Sequence, residues 1–320
     1  MRSGTAAMPD AVATYYSRIA PQLRAIGQAN AGRMAEALDR LGVTAGQIEL
    51  LGACLLLDTA DQSSLARALG IDAASVMTLV DRLEAAGLVR REAGADRRRR
   101  IVRARRRAAA IVESGLPILI DASAATLAVL GAEAEDFLGA LSRLASFPGS
   151  GAPDYDSALL RSAPGYAALS PLFETLGFLA RRAGQVCHAL YEQEGAACGA
   201  NGLEYLILHL VDRGLIANQA DFTRAIGVSR SSSLPAIRRL EQRHCLVRER
   251  AKGDARLRVF RLTPTGKALH AAMDRAADAY EQRLLAALAP RARPRFLKNL
   301  RAVLMDVRRR AAPGRPEDLP

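Results

Sequence analysis

The feature that most constrains this chain is that part of its sequence occurs twice. The segment SSLARALGIDAASVMTLVDRLEAAGLVRR (63–91) aligns with ADFTRAIGVSRSSSLPAIRRLEQRHCLVRE (220–249), with Gly70 opposite Gly227 and Glu84 opposite Glu241. One extra residue in the second segment then shifts the alignment, so that Leu88 and Val89 fall on Leu246 and Val247. An internal repeat of this length predicts two copies of one structural unit.

Both halves carry the same predicted order of elements. Apolar residues recur at helical spacing, and Gly70 and Gly227 stand between two short helices, where a left-handed residue must end the first. Thr263 is the expected N-cap of a later helix, with Pro264 at its first position. The predicted longer helices are 12–40, 46–58, 105–130 and 133–146 in the first half, and 171–197, 202–213, 264–288 and 291–310 in the second.

An arginine-rich run, ADRRRRIVRARRRAAA (95–110), aligns with GDARLRVFRLTPTGKA (253–268). In the second segment, basic and apolar residues alternate from Arg256 onward, which is typical of a half-buried strand. The turn residues before it predict a hairpin, with strands at Leu246–Arg250 and Leu257–Leu262. The arginine run is therefore interpreted as a folded arm and not as a tail.

Length and composition favour two helical domains. The 320 residues are 50% hydrophobic and 4% aromatic, which is enough for two cores rich in alanine and leucine. The predicted fold class is mainly α with small β-hairpin wings. The expected boundaries are a first domain at 1–150, a linker at 151–170 that is rich in Pro, Gly and Ser, a second domain at 171–310 and a disordered tail at 311–320.

The charge leaves two readings open. A net charge of +12 and a pI near 10.3 favour a nucleic-acid partner. Only three of the 45 basic residues are lysine, however, so a general preference for arginine explains part of the excess. The four cysteines form no CxxC pair, no signal peptide opens the chain, and the longest apolar stretch is too short to span a bilayer. A cytoplasmic protein that does not contact the membrane is expected.

No catalytic or cofactor motif is present. The chain has no Gly-rich phosphate loop, nucleophile elbow or HExxH, so no enzyme activity and no cofactor are expected. The spacing of its histidines matches no ligand set, and no metal is expected. These histidines are His188, His209, His244 and His270.

The combination of motifs resembles the MarR family of winged helix-turn-helix transcription regulators. The residues that carry the resemblance are VDRLEAAGLVRR with DRR (96–98), and IRRLEQRHCLVRE with DAR (254–256) and LTPTG (262–266). The resemblance implies a DNA-binding regulator with double-stranded DNA as partner and, commonly, a small-molecule effector. Family members are homodimers of one unit, so two fused units imply a monomer that acts as an intramolecular pseudo-dimer, with a homodimer left open.

The resemblance also implies which residues contact DNA. A recognition helix enters the major groove while the wing reaches the backbone or the minor groove. Asp96 and Asp254 would orient the wing arginines. The expected DNA contacts are Ser75, Thr78, Arg82, Arg97, Arg98 and Arg100 in the first half, and Ser229, Arg230, Ser231, Ser232, Arg238, Arg239 and Arg256 in the second.

The two halves are not equivalent. The first has ARRRA (104–108) where the second has LTPTG, so either these arginines contact phosphates or the first wing has diverged. Unlike reading faces predict an asymmetric operator of two half-sites. The alternative is a degenerate module that binds a ligand or a protein. Cys187 and Tyr191 resemble the signature of the hydroperoxide-sensing subset, although a buried cysteine acting as a small apolar side chain is the competing interpretation.

Overall fold

The computed structural model describes residues 17–93, 100–218, 221, 230–251 and 254–311, and these are mostly helical. Their elements in the first half are α1 (Ile19–Leu41), α2 (Ala45–Leu57), β1 (Ala60–Asp61), α3 (Gln62–Leu69), α4 (Ala73–Ala85), β2 (Val89–Ala93), β3 (Arg100–Ala104), α5 (Arg106–Leu127) and α6 (Ala134–Ala145). Those that follow are α7 (Ser157–Arg161), α8 (Tyr166–Leu169), α9 (Leu176–Gly195), α10 (Gly202–Asp212), α11 (Arg230–Gln242), β4 (Leu246–Ala251), β5 (Asp254–Leu262), α12 (Pro264–Leu285) and α13 (Ala292–Ala311).

Matching capping boxes begin α2 and α10. Thr44 accepts a hydrogen bond from the backbone of Gln47, whose side chain accepts one in return from the Thr44 backbone. Asn201 and Glu204 form the same reciprocal pair. These boxes satisfy backbone donors that a helix start leaves free. The two halves therefore begin their second helix in the same way.

A helix-turn-helix occupies residues 62–85. Asp61 and Asp72 cap the two helices, and Gly70 between them is left-handed, with φ of 59°. Leucine and valine side chains on one face of each helix are fully buried, which fixes the angle of the pair. The buried residues are Leu65, Leu69, Val76, Val80 and Leu83. In the second half, the preceding helix and Gly227 lie outside the described residues.

Each half has an antiparallel wing. Strands β2 and β3 are antiparallel, with Val89 opposite Ala104 at one end and Ala93 opposite Arg100 at the other. Strand β1 adds a short third strand beside β3. Strands β4 and β5 are also antiparallel, with Leu246 opposite Leu262 at one end and Ala251 opposite Asp254 at the other. The hairpin predicted for the arginine run is confirmed for the described strands. Arg97, Arg98 and Asp96 lie outside the described residues.

The position predicted for the extra residue of the second repeat is wrong. The amides of Leu88 and Cys245 bond to Leu83 and Leu240, and their carbonyls accept from Arg105 and Thr263. Cys245 therefore corresponds to Leu88, and Leu246 to Val89. His244, with φ of 53°, takes the left-handed position of Gly87. The extra residue thus lies within the wing, where β4 has a bulge at Arg250/Ala251.

The predicted linker is folded. It contains α7 and α8, and Leu160 is buried. The amide of Asp156 donates to the Arg67 carbonyl on α3, and the two side chains form an ion pair at 2.5 Å. The segment therefore packs against the first helix of the helix-turn-helix.

The chain divides into two compact units that differ from its two sequence halves. One unit combines residues 1–21 with 190–284, and the other combines 22–189 with 285–320. Each unit thus takes elements from both sequence repeats. The domain boundaries expected from the repeat stay a prediction, because they describe sequence copies and not packing.

In the unit of residues 22–189 and 285–320, the last helices of the two repeats pack on each other. Phe137 of α6 stacks on Phe296 of α13, with ring centroids 5.4 Å apart and planes inclined by 13°. Asp136 pairs with Arg295 at 2.9 Å beside this stack. Both rings are buried. The stack therefore joins the last helix of the first repeat to the last helix of the second.

A second contact between the repeats occurs twice. The amide of Ile19 at the start of α1 donates to Glu281 of α12 at 2.7 Å. The amide of Leu176 at the start of α9 donates to Ser123 of α5 at 2.9 Å. The repeat alignment places Ile19 opposite Leu176, and Ser123 opposite Glu281. Each opening helix is therefore capped by a side chain from the other repeat. Arg18 reinforces the first contact through Asp274, Asp278 and Glu281.

One helical segment is apolar enough to cross a membrane by length and composition. Among the described residues this is Arg106–Ala145, with mean hydropathy 1.7 in its best 18-residue window, of which 33% is buried. The expectation that every apolar stretch is too short is therefore wrong. Gly131, with φ of 52°, breaks the segment between α5 and α6. The buried face of α5, including Val112 and Leu119, accounts for part of this apolarity.

The stacked rings predict a measurable coupling. Phe137→Leu and Phe296→Leu should each lower the free energy of unfolding by roughly 1–3 kcal/mol, because both rings are buried. The double variant should lose about 0.5–1.5 kcal/mol less than the sum of the two single losses, because the interaction between the two rings can be lost only once. Urea unfolding followed by circular dichroism measures this. Phe173→Leu, whose ring contacts Phe178, should be additive with Phe296→Leu. Additivity in both pairs would contradict the stack.

Candidate nucleic-acid interface

The exposed face of α4 in the first half offers few free donors. The Ser75 hydroxyl donates to Asp72 at 2.7 Å, and the Thr78 hydroxyl donates to the Ala74 carbonyl at 3.0 Å. The hydrogen bonds from Ser75 hold the pKa of Asp72 below its usual value. Arg82 is exposed and has no ion pair among the described residues. Met77, 49% exposed, adds an apolar side chain to this face.

Helix α11, the predicted recognition helix of the second half, is more basic. Arg238 is exposed on α11 and forms no ion pair within the described part of the chain. The Nε of Arg239 donates to buried Glu204 at 2.6 Å, so this arginine also holds α11 on α10. Ser231 is exposed. Ser229 and the side chains of Arg230 and Ser232 lie outside the described residues.

Pro235 does not interrupt this helix. Helix α11 runs from Arg230 to Gln242 with Pro235 inside. The expectation from the sequence that Pro235 kinks the helix or loosens its first turns stays a prediction. Pro235 is the sixth residue of the described helix and is exposed, so its ring faces away from the core.

A matched ion pair fastens each wing to its recognition helix. Arg91 of β2 reaches Glu84 of α4 at 2.5 Å, and Arg248 of β4 reaches Glu241 of α11 at 2.6 Å. The repeat alignment places these two pairs opposite each other. Sequence reasoning missed them, although the shared spacing of Glu and Arg in both copies was a usable signal. These arginines therefore serve the wing and not an external partner.

A second matched pair crosses each wing between its strands. Arg103 pairs with Glu92 at 3.0 Å, and Arg261 pairs with Glu249 at 2.6 Å. Cross-strand pairs of opposite charge stabilise a hairpin modestly, and they fix its register. The bases of both wings thus use their own carboxylates to neutralise arginine.

Four exposed arginines at two places in the first half have no internal ion pair within the described residues. Arg100 is exposed on β3, and Arg105, Arg106 and Arg107 are exposed where α5 begins. Arg105 is the N-cap and makes no side-chain cap bond. None of the four forms an ion pair among the described residues. They remain available to an anionic partner, at a helix end that disfavours positive charge.

The second half keeps the cap that the first has lost. The Thr263 hydroxyl accepts from the Gly266 amide at 3.0 Å, and α12 begins at Pro264, as the sequence predicts. Gly266 is needed because a Cβ there would lie 2.0 Å from the Cys245 carbonyl oxygen. Arg256 and Asp254 lie in β5, but their side chains are outside the described part.

Arg182 of α9 links the second repeat to the turn of the first helix-turn-helix. It is 2% exposed, and its Nη1 donates to the Gly70 carbonyl at 2.6 Å. Its guanidinium lies 5.0 Å from the centre of the Tyr155 ring. Burial, and then nearby Arg181, lowers its pKa to about 10. No carboxylate in the described residues pairs with it.

The predicted redox pair is buried. Cys187 is fully buried in α9, and Tyr191 is 7% exposed. The Tyr191 hydroxyl has no hydrogen-bond partner among the described residues, and burial raises its pKa. A reactive thiol needs access and a stabilised thiolate. The burial of Cys187 therefore disfavours the sensor interpretation, while the small apolar role fits.

Part of the first half is similar in sequence to a known protein family. Residues 34–100 match the MarR family. This part of the first half is therefore similar to the winged helix of MarR proteins, which are transcription regulators. The match ends inside the first wing. No curated protein sequence matches the chain.

Solved structures of MarR regulators are similar to parts of the chain. The regulator BpsR of Bordetella bronchiseptica, described with 6-hydroxynicotinic acid, is 22% identical over 44% of this chain and 96% of its own, with TM-score 0.36. A Mycobacterium tuberculosis MarR protein in complex with salicylic acid is 23% identical over 39% and 93%, also with TM-score 0.36. Streptomyces coelicolor PcaV is 26% identical over 42% and 93%, with TM-score 0.33. At these TM-scores the likeness supports no further conclusion.

The close approach at Gly266 predicts a sharp effect of one methyl group. Gly266→Ala should lower the free energy of unfolding by about 1–3 kcal/mol, because the Cys245 backbone must move. Gly184→Ala is the matched control. Its Cβ would meet nothing within 4 Å in α9, and it should be neutral or stabilise by about 0.4–1 kcal/mol. Equal effects of the two variants in urea unfolding would contradict the geometry.

Proposed function

We propose that the chain is a sequence-specific DNA-binding transcription regulator whose two winged helices are paired within one polypeptide. The observation that carries the proposal is the contact made twice between the repeats, Ile19 with Glu281 and Leu176 with Ser123. The stack of Phe137 on Phe296 supports it as well. A family of dimeric regulators would use such contacts between subunits, and here they join two parts of one chain.

The proposal includes an asymmetric operator with two unlike half-sites. The first recognition helix presents Met77 and Arg82, whereas the second presents Arg238 and Ser231. Arginine can read guanine edges through two hydrogen bonds, whereas methionine makes only apolar contacts. The second half would therefore provide most of the base recognition.

The first half would bind mainly through phosphate contacts. Arg100 and the arginines at the start of α5 are exposed and have no internal ion pair among the described residues. Arginines that neutralise phosphates release counterions, so affinity falls as the salt concentration rises. This fits the loss of the Thr cap, because an outside anion offsets the cost of positive charge at the helix start.

A small-molecule effector is also part of the proposal. Buried Arg182 lacks an acidic partner among the described residues and donates to the Gly70 carbonyl in the helix-turn-helix. A buried charge is costly unless it is paired, so an anionic effector has a ready counter-charge there. Thermal shift with aromatic carboxylic acids, compared between the wild type and Arg182→Met, tests this part separately.

The alternative is a module in which one half or both no longer bind DNA. It is favoured by the face of α4, where Ser75 and Thr78 use their hydroxyl protons internally and Met77 is exposed. Selection of bound sequences from genomic DNA at two salt concentrations separates the readings. A steep dependence on salt together with a surviving sequence preference supports the regulator.

Two arginine variants should differ in how they weaken binding. Arg238→Ala should cost about 1–3 kcal/mol on the selected site and relax specificity at one base pair, as expected for a base contact. Arg100→Ala should weaken binding to all sequences and lower the salt slope by about 1, as expected for a phosphate contact.

The matched control for both is Arg301→Ala, which removes an exposed arginine from α13 and should leave affinity unchanged. Gel-shift titrations at several salt concentrations measure all three variants. Equal losses in all three, or a perfect palindrome bound by two chains in footprinting, would contradict the proposal.

A further inference from the structure

Three side chains that the sequence pattern does not connect lie together in the unit of residues 1–21 and 190–284. His209 is on α10, and His270 and Asp274 are one turn apart on α12. The Nδ1 of His209 is 3.2 Å from the Nε2 of His270. The same Nε2 is 3.5 Å from Oδ2 of Asp274. Both histidines are buried, and Asp274 is partly exposed.

The two separations from Nε2 of His270 are close to the edges of a tetrahedral metal site, and the three ligand atoms all lie within 4.8 Å of one another. Bonds of about 2.0–2.1 Å from zinc to its ligands place neighbouring ligand atoms roughly 3.3–3.4 Å apart. We propose that His209, His270 and Asp274 bind a divalent transition metal ion of the zinc type, with the fourth position open to water or another ligand. Two imidazole ligands disfavour magnesium and calcium, which prefer oxygen.

The surroundings orient these ligands. Oδ1 of Asp274 accepts from the Tyr205 hydroxyl at 2.6 Å and pairs with Arg18 at 3.3 Å, which leaves Oδ2 on the side of His270. Oδ2 of Asp212 lies 3.7 Å from Nδ1 of His270. A carboxylate behind a ligating imidazole is a common arrangement in metal sites, because it fixes the tautomer and the orientation of the ring.

The fold does not require a polar cluster at this place. The repeat alignment puts Gly52 opposite His209, Val112 opposite His270 and Leu116 opposite Asp274, so the first half fills the same positions without polar side chains.

The competing explanation is a plain hydrogen bond between two buried imidazoles. It accounts for the 3.2 Å separation and requires no ion. The two explanations differ in what the protein does when an ion is added. The inference does not depend on DNA binding, because its readout is the metal itself.

Cobalt titration of the full chain tests the site. The protein is treated with a chelator, dialysed and titrated with Co²⁺, whose tetrahedral complexes absorb visible light. One cobalt ion should bind per chain, and Zn²⁺ should displace it. Absence of visible absorption, or binding that zinc does not displace, would overturn the proposal.

Variants assign the binding to these residues. His209→Gln and His270→Gln should each weaken Co²⁺ binding by at least about 100-fold, since each loses a direct ligand, and Asp212→Asn should weaken it by about 10–100-fold. His188→Gln, an exposed histidine on α9, should match the wild type. Circular dichroism of the metal-free proteins shows which variants are folded, and Asp212→Asn keeps the test open if a ligand variant is not. Unchanged binding in folded His209→Gln, or an equal loss in His188→Gln, would refute the assignment.

Discussion

The arrangement of this chain depends on side chains that cap an opening helix of the other sequence repeat. Glu281 accepts from the amide of Ile19, and Ser123 accepts from the amide of Leu176. A helix start has backbone donors without an internal partner, so each opening helix needs such an acceptor. Because the acceptor comes from the other repeat, the two compact units each contain residues from both halves of the chain.

Carboxylates within the protein neutralise several arginines of the two wings. Glu84 and Glu241 each hold a wing arginine on the recognition helix, and Glu92 and Glu249 each hold another across the strands. These pairs are partly exposed, so each contributes little stability by itself. Their value lies in fixing the direction of the wing. The arginines that remain unpaired, such as Arg100 and Arg238, are then distinguishable from the structural ones.

The sequence predicted the elements well and the roles of single residues less well. The spacing of apolar residues and the residues typical of turns and caps predicted the helices, the hairpins, the Thr263 cap and the left-handed Gly70. These features depend on neighbours along the chain. The extra residue of the second repeat was misplaced because the alignment matched Leu88-Val89 to Leu246-Val247. It did not allow for His244, which adopts the left-handed conformation of Gly87. The bond of Arg239 to Glu204 and the grouping of His209 with His270 escaped prediction, because packing between distant helices creates them.

The pairing of Phe137 with Phe296 has a consequence for how the protein is made. Residues 285–311 are synthesised long after residues 22–189, yet both belong to one compact unit. Contacts between distant parts of a chain form slowly, because a long loop must close before they add stability. Until Phe296 has been synthesised, Phe137 has no ring to stack on. The packing of this unit can therefore be completed only after residues 285–311 have been made.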